Sequence, residues 1–319
     1  MLGETIAFKQ LLERSLAQQH YLYLLLDVAK FDEFWEQWQA RSNKAQTQWC
    51  YLYQKTRFDH LSQVSPLLIQ VEEGEFADDV LQWLSALLSN DWGILFSSTL
   101  TLESVLSHWQ SWLTCFLPNG SETLFRFYEP NIMALFLTDE SFDDNDRQTL
   151  VGVCGEIFLA TEIPHQYTRL YVNTEREDVC LPNAPWFYFE QEQLDAIDGL
   201  YYQERLSELA VELFKLAPSI CMPLSKRQVK AGLHQGIELA KQQFPNAPSK
   251  AKEHFSLQRF LLGSRFYQHA SFFLITQTLP LLNALIEFSN NSRYKQEVEE
   301  RFHDSDWLEQ AELEMEALS

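Results

Sequence analysis

Apolar and polar positions follow two patterns along the first half of the chain. Short and almost continuous apolar runs are typical of buried strands, whereas apolar residues that recur every three to four positions predict helices. The predicted strands are residues 20–26, 49–53, 67–71 and 92–96, and the predicted helices are residues 3–18, 32–39 and 78–88. Because strand and helix follow one another closely, we expect a mixed or mainly parallel sheet with helices on its faces.

The stretch 92–130 carries the clearest local signals in the chain. Its apolar run ends in polar residues, and Thr101 stands where a side chain can cap the helix that follows. Asn119 and Gly120 then form the dipeptide that most strongly indicates a tight hairpin turn, because both residues tolerate positive φ. The stretch therefore predicts a strand, a helix and a hairpin in succession.

Arg126 lies on the second predicted strand of this hairpin, residues 123–128, where alternation places it on the same face as Tyr128. Our favoured interpretation is an ion pair with Glu129 or with Asp27, which follows the first long strand directly. The alternative is contact with a partner chain, since arginine and tyrosine are enriched among binding hot spots. Arg126, Tyr128, Glu129 and Asp27 are therefore candidate partner-binding residues.

The pattern changes after the hairpin. An acidic stretch at residues 139–146 precedes two predicted strands, residues 168–173 and 186–189, and beyond residue 190 only helical spacing remains. We therefore predict an α+β or α/β fold in three parts. These are an α/β lobe at 1–137, an acidic connector at 138–189 and an all-helical lobe at 190–319.

The order of these features resembles that of the type VI secretion effector chaperones. The shared features are the tryptophan-led strand, the polar loop, the helix containing His108, the Asn-Gly hairpin and the segment from Leu124 to Pro130. In that family the helix usually carries His-Leu-Arg and the hairpin ends in Tyr-Asp-Pro. This chain has His-Trp-Gln and Tyr-Glu-Pro in those places.

Residues 21–27, 49–53 and 65–69 resemble the earlier strands of that family, so the resemblance covers about residues 20–137. It implies a non-enzymatic adaptor in the bacterial cytoplasm that needs no cofactor. Such an adaptor holds a cognate effector and loads it onto the VgrG spike. Because members pair with their own cargo, specificity is expected where the resemblance fades.

Charge and cysteine content agree with a protein of this kind. The formal net charge of −21 opposes binding to nucleic acid or to an anionic membrane surface. The five cysteines are widely spaced and form no Cys-x-x-Cys, which is typical of reduced thiols in the cytosol. We also expect no signal peptide and no membrane-spanning segment.

Residues 215–265 are basic against this acidic background, with nine basic and two acidic residues. The simpler interpretation is that the charges solvate helix faces and pair with the acidic C-terminal helix. The alternative is a positive groove that docks an acidic segment of a partner and affects association rate and specificity. The candidate groove residues are Arg227, Lys230, Arg259 and Arg265.

Catalytic and metal-binding motifs are absent from the sequence. Asp144 to Asp146 begin like a calcium loop, but Thr149 replaces the glycine that such a loop needs, so we expect a solvated helix N-terminus and no metal. The alternative function is a hydrolase or transferase on an α/β domain with a helical cap, which would act through Asp27, Glu129 or His108.

Overall fold

The computed structural model describes residues 5–42, 48–71, 78–172, 186–301 and 306–316. The chain divides into two compact units, Met1–Leu200 and Tyr201–Ser319. The first contains a sheet flanked by helices, and the described residues of the second form helices and the segments that connect them. The predicted fold class is confirmed as α+β with a helical C-terminal region.

Strands and helices alternate irregularly in the first unit. Its strands are β1 (Thr5–Ala7), β2 (Tyr21–Leu26), β3 (Trp49–Tyr51), β4 (Leu67–Val71), β5 (Gly93–Ser98), β6 (Thr114–Phe116), β7 (Glu122–Leu124), β8 (Glu156–Ala160) and β9 (Gln166–Val172). Its helices are α1 (Phe8–Ala17), α2 (Phe34–Ser42), α3 (Asp78–Leu88), α4 (Leu102–Ser111), α5 (Pro130–Thr138) and α6 (Asp144–Val151), and α7 (Gln191–Leu216) begins here and continues into the second unit.

Seven strands form one sheet in the order β1-β9-β8-β5-β2-β4-β3, and β6 pairs with β7 in a separate hairpin. The expected mixed or mainly parallel pairing was wrong, because every strand pair described in the large sheet is antiparallel. The apolar runs arise instead because both faces are covered. Along β2, Tyr23 and Leu25 enter one hydrophobic cluster, whereas Leu22 and Leu24 enter another.

Two predicted elements differ from the structure, and one strand of the structure was not predicted. The predicted first helix begins as strand β1, and β8, which the sequence pattern did not reveal, inserts between β5 and β9. At residues 186–189 the structure has only a single bridge, between Tyr188 and Phe116. The segment 138–189, which we predicted as a connector, thus contributes β8 and β9 to the large sheet.

The predicted hairpin forms at Asn119-Gly120, where Gly120 has a φ of +79°. Its second strand ends at Leu124, earlier than predicted, so the expected alternation does not continue to Tyr128. Arg126 is 39% exposed, whereas Tyr128 is buried. The two side chains are still neighbours, with Arg126 Cζ 5.5 Å from the Tyr128 ring centroid, but regular strand alternation is not the cause.

The second unit contains the rest of α7 and seven further α-helices in its described residues. These are α8 (Pro218–Cys221), α9 (Lys226–Gln243), α10 (Ser249–Leu262), α11 (Ala270–Thr276), α12 (Leu281–Ser289), α13 (Ser292–Arg301) and α14 (Trp307–Glu316). Helix α9 starts with a capping box at Ser225 and Gln228. It then packs against α10 at Gly236, where a Cβ would lie 2.5 Å from the Ser256 hydroxyl oxygen.

Candidate functional site

Asp27 is positioned by the sheet. It follows β2 directly, and its backbone N–H donates to the Trp92 carbonyl at 2.6 Å, at the start of β5. Its side chain is only 2% exposed. The chain thus fixes a carboxyl group at one end of the two central strands and removes it from water.

Arg126 reaches this carboxyl group from the segment that follows β7. Phe125 and Phe127, its two neighbours, are buried in the hydrophobic cluster on one face of the sheet. The backbone N–H of Phe125 donates to the Leu113 carbonyl at 2.9 Å, and that of Glu129 donates to the Arg126 carbonyl at 3.0 Å. Two buried phenylalanines and this turn therefore determine where the arginine side chain leaves the backbone.

The guanidinium of Arg126 joins two carboxylates. Its Nη2 donates to Asp27 Oδ2 at 2.6 Å, and its Nε donates to Glu129 Oε1. Glu129 is the residue before α5, so the two acids come from different parts of the unit. We name the group of Asp27, Arg126, Glu129, Tyr53 and Tyr128 the Arg126 cluster.

Two tyrosines form the inner side of the Arg126 cluster. The hydroxyl oxygens of Tyr53 and Tyr128 are 3.2 Å apart, and Arg126 Cζ lies 5.5 Å from the centroid of the Tyr128 ring. This distance is within the range of a cation–π contact. Burial raises the pKa of both phenol groups, so both tyrosines remain protonated at neutral pH.

Burial also raises the pKa of the Asp27 carboxyl, and the positive charges of Arg126 and Lys30 partly offset this effect. An acid with a raised pKa is a candidate for proton transfer. Asp27, however, is almost inaccessible to solvent, and Arg126 holds one of its oxygens. The most exposed charged group at this site is the guanidinium of Arg126, which is able to bind carboxylate or carbonyl oxygens.

His108, the third residue of the alternative enzymatic hypothesis, is buried on α4. Its Nε2 hydrogen-bonds to the Leu150 carbonyl at 2.7 Å, and burial lowers its pKa to about 4. The histidine is therefore neutral at physiological pH and joins α4 to the end of α6. This geometry favours a structural role over that of a base that meets substrate.

The acidic segment before α6 also has a structural role. Asp143 accepts a hydrogen bond from the Asp146 backbone N–H at 2.7 Å and caps the helix that begins at Asp144. The predicted helix N-terminus is therefore confirmed. Within the described ranges, no group of three His, Cys, Asp or Glu side chains is placed to hold a metal ion.

The four basic candidates lie in the second unit, in different surroundings. Arg227 pairs with Glu312 at 3.4 Å and with Glu316, both on α14, as the simpler interpretation predicted. Partial burial and the charge of Lys226 lower the pKa of Lys230. Arg265 is exposed.

Arg259 does not fit the expectation of an open positive groove, because only 5% of it is exposed. Its Nε donates to the Ser264 carbonyl at 3.0 Å, its Nη2 donates to Gln235 Oε1 at 3.1 Å, and its Cζ lies 4.5 Å from the Trp307 ring centroid. The helical spacing of Phe255, Arg259 and Leu262 places all three on one stripe of α10, and all three are buried.

Tyr53 was not among the predicted site residues. It stands two residues beyond the end of β3, and its backbone N–H donates to the Ser65 hydroxyl at 2.9 Å. Its contact with Tyr128 joins positions 75 residues apart in the chain, so no local pattern indicates it. The apolar pattern and the family resemblance both indicated a strand at residues 49–53, but neither indicated the contact between Tyr53 and Tyr128.

Residues 22–148 match a family model described as "Domain of unknown function (DUF4123)". The match includes all five residues of the Arg126 cluster and ends before β8. No curated protein and no solved structure matches the chain. None of the helices in the described ranges combines the length and apolar character that crossing a membrane requires.

Proposed function

We propose that this protein is a non-enzymatic adaptor that binds a cognate type VI secretion effector and loads it onto the VgrG spike. The observation that carries the proposal is the match of residues 22–148, because that family is generally associated with adaptors of type VI effectors. The adaptor would act in the bacterial cytoplasm, before secretion, and would need no cofactor.

The geometry of the Arg126 cluster supports a binding role. Asp27 and Glu129 hold the guanidinium in place, so Arg126 loses little conformational freedom when a partner binds. Enough of the side chain is exposed for a partner's carboxylate or backbone carbonyl to reach it. We therefore propose Arg126 as the direct contact and Asp27, Tyr128 and Glu129 as the residues that position it.

The two units can divide the work of such an adaptor. The family match lies entirely within the first unit, and the helical lobe from residue 190 onward lies outside the matched residues. We propose that the matched part serves the function common to the family and that residues 190–319 select the cargo. A chimera that exchanges residues 190–319 with those of a relative should then change which effector is bound.

Affinity capture tests the proposed function. The tagged protein is expressed in its native cells, captured at moderate salt, and its bound proteins are identified and quantified by mass spectrometry. The expected result is one effector in stoichiometric amount together with VgrG. Recovery of the folded protein alone, from cells that express the secretion machinery, would overturn the proposal.

Two matched variants test the contribution of Arg126. Arg126→Lys keeps the positive charge beside Asp27 but loses the planar fork that binds an oxygen pair. Arg169→Lys is the control, because Arg169 also pairs with a buried acid, Glu156, in the same unit. If Arg126 contacts the partner, effector capture should fall for the first variant and persist for the second. If both variants capture as much effector as the wild type, Arg126 does not contact the effector.

A further inference from the structure

Helix α14 lies in a groove formed by α9 and α10. At Gly232 on α9, a Cβ would stand 2.7 Å from Leu308 Cδ2 and 3.0 Å from Trp307 Cη2, so the missing side chain permits the close approach of α14. On α10, Phe260 contacts the Trp307 ring at a centroid distance of 4.9 Å. Trp307 and Leu308 therefore anchor α14 in this groove.

Charge adds a second element of recognition. Helix α14 carries four glutamates and no basic residue. Two of them, Glu312 and Glu316, pair with Arg227 near the start of α9, and Glu314 accepts a hydrogen bond from Gln235 Nε2 at 2.7 Å. The groove thus binds a helix with an aromatic residue at its start and acids toward its end.

The groove covers only part of the surface of α14. Ala311 is its one fully buried residue among those described, and Leu313 is 66% exposed. Ten residues form a marginal helix without packing, and exposed ion pairs contribute little to stability. Beside α14, a cleft of about 620 Å³ remains open, with Arg259 and Arg265 on its walls. The groove is therefore wider than α14, and much of the helix remains exposed to water.

We propose that the groove between α9 and α10 docks an acidic amphipathic helix of the effector, and that α14 occupies it in the free protein and is exchanged on binding. This inference rests on the proposed adaptor function. Charge complementarity and the seating of α14 indicate the occupant's chemistry. It has an aromatic residue, a small residue four positions later, and acids five and nine positions after the aromatic, as in Trp307, Ala311, Glu312 and Glu316.

Exchange has a consequence for the order of binding. An intramolecular helix competes at an effective concentration that reaches the millimolar range for short connections. A separate segment displaces it only with comparably strong contacts or when it is already tethered nearby. The groove would therefore accept an effector's helix after that effector has bound elsewhere on the adaptor, which disfavours unrelated acidic helices.

The first test uses a fluorescein-labelled synthetic peptide that copies residues 306–316 and the full-length protein, with binding followed by fluorescence anisotropy. The wild type should bind weakly, because its own α14 competes. The Glu312→Lys, Glu316→Lys double variant loosens the resident helix, so peptide affinity should rise about tenfold at low salt and less at high salt. Adding Arg227→Glu should abolish this gain.

Glu309→Lys is the control for a single Glu-to-Lys change, because it lies at an exposed position of α14 one turn before the two glutamates that pair with Arg227. It should leave peptide binding at the wild-type level. Circular dichroism and urea unfolding establish that each variant folds. A folded double variant that binds no more peptide than the wild type, or a gain independent of Arg227, would overturn the exchange.

The second test uses the effector identified by affinity capture. The loosened double variant should retain more effector than the wild type, whereas Arg227→Glu should retain less. If all variants retain the same amount, the groove proposal fails while the adaptor function stands. If the wild type captures no effector, the adaptor function fails, and the peptide measurement still decides whether the groove exchanges helices.

Discussion

Replacing Arg126 by alanine should destabilise the first unit, mainly through Asp27. The substitution leaves a buried carboxylate without the guanidinium that now lies 2.6 Å from its Oδ2. Removing one partner of a buried ion pair costs about 3–5 kcal/mol. Since Arg126 is 39% exposed and water can enter after truncation, we expect a loss of about 2 kcal/mol at neutral pH.

The loss should depend on pH in a defined direction. Burial already raises the pKa of Asp27, and loss of Arg126 removes the strongest influence that lowers it. In the variant, the folded protein therefore binds a proton more readily than the unfolded chain does. Its stability falls as pH rises through the raised pKa. The difference from the wild type should be largest at neutral pH and should shrink as the medium becomes acidic.

Tryptophan fluorescence during urea unfolding is a suitable assay, because eight of the nine tryptophans lie in the first unit. The wild type and Arg126→Ala are compared at pH 7.5 and 4.5. A thermal scan should show the same effect as a fall in Tm of about 4–8 °C. Adding Asp27→Asn to the variant should recover at least half of the loss at pH 7.5, since the amide carries no charge.

Arg169→Ala serves as the control for removal of an arginine from an ion pair. Its partner, Glu156, also accepts a hydrogen bond from Arg14 at 2.9 Å, so a cation remains beside it. The control should lose less than half as much stability as Arg126→Ala. An equal loss for Arg126→Ala at both pH values, with no recovery by Asp27→Asn, would refute the electrostatic explanation. Arg126 would then stabilise the fold through its contact with Tyr128.

Three other perturbations test separate features of the first unit. Gly93→Ala should prevent soluble folding, measured as soluble yield, because a Cβ there would lie 2.2 Å from the Leu25 carbonyl oxygen. Wild-type stability should fall as pH drops from about 6.5 toward 4, because over this range His108 gains a proton only in the unfolded chain. In His108→Gln, the urea concentration at the midpoint of unfolding should therefore decrease less between pH 7 and pH 5. Burial raises the pKa of Cys50 and Cys115 to about 12, so both thiols are protonated and unreactive in the folded protein at pH 8. Peptide mapping should find both cysteines unmodified when the folded protein is treated with iodoacetamide, and modified when the treatment is done in urea.

Local signals predicted several elements well. Helix α3 spans Asp78–Leu88, the range that its apolar spacing indicates. Thr101 caps α4 by accepting a hydrogen bond from the Ser104 backbone N–H, and Gly120 adopts the positive φ of a tight turn. Each of these features depends on residues within one turn of helix or one hairpin, so a short stretch of sequence contains the whole cause.

Features that depend on distant residues were harder to predict. Apolar strand runs do not distinguish parallel strands from antiparallel strands that are buried on both faces, as β2 and β5 are. Asp27 and Arg126 lie 99 residues apart, and sequence left open which acid the arginine would meet. Arg259 was expected on a solvated helix face or in an open positive groove because of the basic residues around it in the sequence, but packing against Trp307 buries it.

The position of β1 at the edge of the sheet determines when it can pair during synthesis of the chain. In the described part of the chain, β1 pairs with β9 alone, and Ile6 lies opposite Tyr167, about 160 residues later. At ordinary translation rates, β1 leaves the ribosome on the order of ten to thirty seconds before its partner exists. Meanwhile β2, β4 and β5 can already form the centre of the sheet. Strand β1 is therefore made before the other strands of this sheet but can pair only after β9 has been made.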